Sequence, residues 1–170
     1  MLPTPESEGK DGRVISLVQT TQLPATADRV WRFFSELDEH YSDWHPEHLA
    51  WRTLRGEPLA KGTVWFADEW VGPLRVSSRF FVEDADPGRF FAYRVGFPSS
   101  LVRAGGSFRL VPGPGGCELI EEVRLGFAIP VIGRLIDRLL AIVLPIDEFR
   151  RHIREEGENL AGLLASPAVR

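Results

Sequence analysis

His152 and Glu156 stand four residues apart in PIDEFRRHIREEGENLAGLL, a stretch of strong helical pattern. At that spacing both side chains leave one face and can hold one object, such as a metal ion. The same face continues through Phe149, Leu160 and Leu164, while Arg150, Arg151, Arg154, Glu155 and Glu158 fall mostly elsewhere. The pair therefore sits on the stripe expected to face the interior. A second candidate lies in GTVWFADEWVG, where a two-residue period groups Thr63, Trp65, Ala67, Glu69 and Val71 against Phe66, Asp68 and Trp70. An inward Glu69 needs a cation, a metal, a hydrogen-bond donor or a proton, because an isolated buried carboxylate is costly. Both faces carry tryptophan, so the alternation leaves an inward and a solvated Glu69 open.

The other three histidines, His40, His45 and His48, cluster in HYSDWHPEHL. One of them, with Glu69, His152 and Glu156, would supply two imidazoles and two carboxylates. That donor set suits zinc or another divalent first-row ion with a place left for water or substrate. His48 is the preferred loop ligand because it immediately precedes the apolar strand start Leu49-Ala50-Trp51. His45, held between Trp44 and Pro46, is the substitute, or a group that orients a ligand from behind. The spacing is not that of HExxH or of a linear zinc finger, and a helical histidine and glutamate four apart also arise by chance.

Two further residues bear on chemistry. Glu121 alternates with Cys117, Leu119, Val123 and Leu125, which turns it either inward, toward Arg79 or Arg94, or outward to a solvated salt bridge. Tyr93 shares its period with Phe91, Val95 and Phe97; its hydroxyl can orient a phenolic or carbonyl oxygen, or serve as a core tyrosine bonded to a backbone carbonyl. Pro112-Gly113-Pro114-Gly115-Gly116 has neither a Walker lysine nor a following helix, and reads as a turn between strands.

The elements that must position these residues are legible in outline. A strand over Val14 to Thr20 precedes a turn in which Thr26 or Asp28 caps a helix running to about Leu37. HYSDWHPEHL forms a second short helical or irregular piece. Strand patterns follow near 49–55, 63–71, 74–84, 89–97, 104–112 and 117–125, separated by Gly and Pro turns, and a long helix closes the chain beyond breaks at Pro130 and Pro145. The expected fold is α+β: a curved antiparallel sheet of about seven strands gripping the final helix, the element long enough to cover it. Five tryptophans, eleven phenylalanines and two tyrosines can line either a filled core or a pocket for an aromatic compound.

The 170 residues suit one domain over 14–165, between a polar leader (1–13) and a short tail (166–170). A net charge of -4, with no basic block interleaved with aromatics, argues against nucleic acid as a partner. Cys117 is the only cysteine, which precludes an internal disulfide and favours a reducing cytoplasm. Residues 125–146 form the nearest approach to a membrane segment, but Arg134, Asp137 and Arg138 interrupt them. They read as an amphipathic helix or a cavity lid, with shallow membrane contact left open.

The element order, the early PATADRVWRFFSELD helix and the late HIREEGENLAGLL helix resemble the START-like helix-grip superfamily, also called SRPBCC, Bet v 1-like or polyketide cyclase/dehydrase-like, over roughly residues 14–165. Its members include carriers of lipids and aromatic ligands, cyclases and hydrolases. WHPEHLAW, FADEW and HIREEGENL more specifically resemble the diacetylphloroglucinol/phloretin hydrolase branch. That resemblance implies a zinc site on His48, Glu69, His152 and Glu156, with His45 competing for the first position. It implies C–C bond hydrolysis of an aryl ketone or 1,3-diketone in a hydrophobic cavity, with Tyr93, or metal-bound water helped by His45, protonating the departing carbon. The separate proton-donor histidine of that branch has no counterpart between His48 and His152. Two other classes stand beside this one: a non-enzymatic carrier of a hydrophobic or aromatic molecule, and a metal-free cyclase or dehydratase using Glu69 or Glu121.

Overall fold

The computed structural model describes residues 15–96, 102–127 and 145–166. The polar leader, Phe97, most of the amphipathic stretch with Pro130, Arg134, Asp137 and Arg138, and the tail beyond Ser166 lie outside the described residues. Strand β1 (Ile15–Leu23) is followed by helices α1 (Ala27–Ser35) and α2 (Leu37–Trp44). Strands β2 (His48–Arg55), β3 (Val64–Val71), β4 (Leu74–Asp86), β5 (Phe90–Gly96), β6 (Val102–Gly113) and β7 (Gly116–Phe127) come next, and helix α3 (Ile146–Ala165) ends the order.

All seven strands form one antiparallel sheet in the order β1-β7-β6-β5-β4-β3-β2. β2 through β7 follow one another across the sheet as a meander. β1 and β2 occupy opposite edges, and α1 and α2 bridge between them. The Pro112–Gly116 stretch is the β6–β7 hairpin end, with Gly115 at φ 81° in the left-handed region that glycine enters without steric cost. α3 lies across the concave face, so the helix-grip architecture expected from the sequence is the one observed.

The early helical region divides in two. Thr26 caps α1 by accepting from the Arg29 N–H, and Val30, Phe33 and Phe34 supply its buried face. Glu36, at φ -108° and ψ 21°, interrupts the helix one residue before the expected end. α2 then buries Leu37, Tyr41 and Trp44, spaced as one helical stripe. It stops at an extended His45, because the Pro46 ring excludes the helical conformation for the residue before it. HYSDWHPEHL is thus helix through Trp44, connector over residues 45–47 and the start of β2 from His48.

α3 buries His152, Ile153, Glu156, Gly157, Leu160 and Leu164, confirming the inward stripe. A Cβ on Gly157 would stand 2.2 Å from Thr21 Oγ1, so glycine permits the close approach of α3 to β1. Between sheet and helix, Phe34 meets Trp44, Phe91 and Phe108 at ring separations of 5.2 to 5.8 Å. This aromatic core leaves a cavity of ≈ 470 Å³ under α3.

Candidate functional site

β3 turns Trp65, Ala67 and Val71 inward and leaves Trp70 at 39% exposure. The inward reading of Glu69 therefore holds, and its carboxylate lines the cavity. Register places His48 directly opposite Glu69, and a shift in pairing between His48 and Ala50 marks a bulge beside the site. His152 and Glu156 descend from α3 to the same place. Elements distant in sequence thus bring His48, Glu69, His152 and Glu156 together.

The buried imidazoles of His48 and His152 are each tied at Nδ1. His48 Nδ1 donates to the Tyr41 carbonyl at 3.1 Å, and His152 Nδ1 to Glu47 Oε2 at 2.9 Å. In both rings the lone pair of the neutral form then falls on Nε2. His48 Nε2 lies 3.0 Å from Glu156 Oε1 and 3.7 Å from Glu69 Oε2, and His152 Nε2 lies 3.7 Å from Glu156 Oε1. His152 Nε2 is buried with no hydrogen-bond partner among the described residues. The ring of His48 stacks flat on Tyr41, centroids 4.0 Å apart, and the Tyr41 hydroxyl donates to Glu69. Trp44 Nε1 donates to the Glu156 carbonyl at 2.9 Å, locking α2 to α3 beside the site.

Imidazole and carboxylate donors of this kind suit a divalent metal. A tetrahedral zinc with ligands at about 2.0–2.2 Å holds its donor atoms roughly 3.3–3.5 Å from one another. The separations from His48 to Glu69 and Glu156 and from His152 to Glu156, 3.0 to 3.7 Å, lie near that value. The orphaned Nε2 of His152 and the fixed orientations of both rings meet the same requirement.

Electrostatics in the site are set by burial and by the mixture of carboxyls and imidazoles. Burial raises Glu69. Burial opposes ionisation of Glu156 as well, but His152 and His48 outweigh it and hold this carboxyl low, at about 2. Burial depresses His152, and the carboxylates of Glu156, Glu69 and Glu47 reverse that and raise it above the ordinary imidazole value. Glu121 is inward and 3% exposed. Its neighbour is Glu156, not the arginine partner expected from the sequence: Arg94 is exposed and pairs with Glu83, and Arg79 is exposed. Burial and the nearby Glu156 and Glu69 push Glu121 well above the usual carboxylate range, which favours its protonated form. Tyr93 lines the cavity, and burial followed by Glu121 raises its phenol well above its ordinary value. It too stays protonated.

His45 has a different place. It is 1% exposed, its ring centroid is 4.4 Å from that of His152, and one ring nitrogen from each of His45, His48 and His152 falls within 4.8 Å of the others. This buried three-histidine cluster can coordinate a divalent metal. Neither His45 nor His48 is on the cavity lining, and the His45 ring nitrogens are engaged differently: Nδ1 accepts from the Glu47 N–H at 3.1 Å, and Nε2 faces Glu155 Oε2 at 3.4 Å. His40 is half-buried and lies 4.0 Å from Glu36, one turn back on the chain.

Sequence reasoning missed Tyr41, Glu47 and Arg151. Arg151 bonds to Glu47, Glu148 and Glu155 at once, which joins α3 to the His45–His48 stretch. The only local signal was the position of Glu47 beside His48; its partners lie more than a hundred residues away.

A family model described as polyketide cyclase/dehydrase and lipid transport matches residues 14–157. No curated protein matches the chain. Among solved structures, the Zhui aromatase/cyclase from Streptomyces sp. R1128 is 15% identical, with a TM-score of 0.65 over 90% of this chain and 94% of its own. A START superfamily protein from Mycobacterium smegmatis is 17% identical, with a TM-score of 0.63 over 88% and 97%. Ara h 8.0201 is 12% identical, with a TM-score of 0.63 over 90% and 99%. At these identities the likeness establishes the shared fold.

Proposed function

The chain belongs to the polyketide cyclase/dehydrase and lipid-transport family, and on that premise we propose that its cavity binds a small aromatic molecule bearing a carbonyl or phenolic oxygen, against a wall that holds a divalent metal. His48, Glu69, His152 and Glu156 are the ligands, and zinc is the ion that best suits two imidazoles and two carboxylates. The observation that carries this reading is the pair of histidines whose Nδ1 atoms are both tied elsewhere, leaving both Nε2 atoms beside Glu156.

The reaction that this wall supports is hydrolytic cleavage of the C–C bond beside the ketone of an aryl ketone or 1,3-diketone. A bound divalent metal supplies Lewis-acid polarisation of a carbonyl oxygen and acidifies water. The chain's own residues do the rest. The rings of Trp65, Phe80 and Phe91 stack against the substrate and exclude water. The Tyr93 hydroxyl, protonated at neutral pH, orients a phenolic or carbonyl oxygen. Water adds its oxygen to the carbonyl carbon, the C–C bond breaks toward the ring or enolate carbon, and that carbon takes a proton. The neutral carboxyl of Glu121 holds such a proton on the cavity wall. His45, beside the cavity, contributes through the packing behind His152.

A second reading is supported by family membership and by the likeness to an aromatase/cyclase. The same cavity carries a hydrophobic or aromatic ligand, or cyclises or dehydrates one, without metal. Here the protonated Glu121 beside the ionised Glu156 is the acid–base pair.

One experiment separates the readings. Untagged protein, metal-replete or chelator-treated, is mixed with a panel of acylphenols and 1,3-diketones while tryptophan fluorescence reports binding and chromatography reports products. Release of a carboxylic acid and a deacylated product, abolished by chelator, is the expected result. Binding without turnover indicates a carrier, turnover that survives chelator a metal-free cyclase or dehydratase, and neither binding nor turnover contradicts the cavity assignment.

A further inference from the structure

Three imidazoles share one buried cluster, yet only His48 and His152 are tied at Nδ1 with Nε2 beside Glu156. Glu47 touches both sides of that division. It lies in His45-Pro46-Glu47-His48, the connector between α2 and β2, and all of its polar groups are engaged. Its carbonyl accepts from the Trp70 N–H at 2.9 Å, and its N–H donates to His45 Nδ1 at 3.1 Å. Oε1 accepts from Arg151 Nη2 at 2.8 Å, and Oε2 from His152 Nδ1 at 2.9 Å. Arg151 is anchored in turn to Glu148 and Glu155 on α3. With backbone and side chain both held, the carboxylate has little freedom to leave His152.

The two contacts have opposite consequences. A carboxylate accepting from His152 Nδ1–H leaves the lone pair on Nε2, the atom beside Glu156 that is otherwise without a partner. A backbone N–H donating to His45 Nδ1 consumes the lone pair there and places the His45 proton on Nε2, which is then a donor toward Glu155.

We propose that Glu47 is a positioning residue that sorts the three buried histidines: its carboxylate makes His152 a metal ligand, and its backbone N–H keeps His45 from being one. The inference rests on the metal-binding reading of the wall, and it deepens that reading by separating His48 and His152 from the third member of the cluster. It also gives Arg151, exposed in part on α3, a role in holding Glu47 and no contact with metal or substrate.

The test combines two readouts. Long-range nitrogen–proton NMR of the metal-free full chain near pH 9, well above the ordinary imidazole value of about 6.5, reports the tautomer of each ring. Zinc competition against a chromophoric chelator reports affinity for the wild type, Glu47→Ala, Glu47→Gln and His45→Asn. The expected wild-type result is His152 protonated on Nδ1 and His45 on Nε2. Glu47→Ala mixes the His152 tautomers and weakens zinc by about 10- to 100-fold, the usual cost of losing a group that orients a ligand. Glu47→Gln, whose amide oxygen still accepts from Nδ1–H, recovers most of both. His45→Asn binds zinc within about threefold of wild type, since Glu47 and His152 are untouched. Unchanged His152 tautomer and affinity in Glu47→Ala, or a loss in His45→Asn as large as that of His152→Ala, overturns the proposal. If Glu47→Ala does not fold, Glu47→Gln and the wild-type tautomers decide it. A wild type that binds no zinc refutes the metal reading, while the tautomers still test the sorting of the rings.

Discussion

The rings of Trp65, Phe91 and Phe108 and the side chains of His48, His152 and Glu156 are buried to a similar degree on the two sides of one cavity. On the aromatic side the rings pack on one another: Trp65 stacks on Trp51 and Phe80 at 4.7 and 5.9 Å, and Phe91 on Phe108 at 4.9 Å, with Trp65 Nε1 buried and without a hydrogen-bond partner among the described residues. Such contacts stabilise the fold wherever they occur. On the polar side the groups complete one another only in part. His48 Nε2 meets Glu156 Oε1 at 3.0 Å and Tyr41 donates to Glu69, but His152 Nε2 is buried with no hydrogen-bond partner among the described residues, and Glu121 is pushed well above the usual carboxylate range beside Glu156. Burying such a set works against stability unless protons or a cation compensate it. Folding accounts for the aromatic wall, whereas the polar wall is where we propose that a metal binds.

Substitutions should separate the two walls. The largest effect is expected for Phe34→Ala, which removes the ring that α1 packs against Trp44, Phe91 and Phe108. It should cost about 3–5 kcal/mol in chemical denaturation and leave the zinc affinity of the folded fraction near wild type. Next comes Glu156→Ala. Zinc affinity measured by chelator competition should fall more than about 100-fold, beyond the range seen for groups that only orient ligands. Thermal stability of the metal-free protein should fall as well, because His152 and His48, which hold Glu156 ionised, lose their partner. Tyr41→Phe deletes the hydroxyl that donates to Glu69 and should destabilise by about 1–3 kcal/mol, with a further upward shift of Glu69 detectable by carboxyl NMR.

Acidity gives a smaller, graded test. Glu156 and Glu47 are depressed in the folded protein, so their contribution to stability is complete above the ordinary glutamate value of about 4.3 and is lost as pH falls through their folded values. His152 is raised, so its contribution is complete below about 6.5 and is lost as pH rises through its folded value. These three groups together favour the metal-free fold most between these limits. Zinc affinity should instead rise with pH, by about tenfold per unit until His152 is neutral, since zinc must displace that proton. At the far end, Arg150→Ala should shift stability by no more than about 0.5 kcal/mol: its partner Asp147 is almost fully exposed.

The sequence foretold the walls unequally. The helical stripe through His152, Glu156, Leu160 and Leu164 was legible because a period of 3.6 residues places them on one face whatever lies opposite. The strands were legible from alternation and from their Gly and Pro turns, to within a few residues at their ends. The direction of Glu69 was not, because Trp65 and Trp70 balance each other across β3. Only the sheet's register resolves them: Trp65 stacks in the interior, while Trp70 lies exposed under the Arg75 guanidinium. Glu121 illustrates the opposite failure. Its alternation allowed an inward or an outward carboxyl; the fold turns it inward and brings another carboxylate where a charge-pairing argument supplied an arginine. Glu47 carried almost no local signal. A polar residue after a proline looks like any loop position, and its meaning comes from His152 and Arg151, 105 and 104 residues further along the chain.

The most direct test of the polar wall is an anomalous-scattering crystal structure of the protein with zinc supplied. The account predicts a single strong peak about 2.0–2.2 Å from His48 Nε2, His152 Nε2 and the carboxylates of Glu69 and Glu156, with His45 outside the coordination sphere. No peak at that wall, or a peak ligated by His45 in place of His48 or His152, would contradict it.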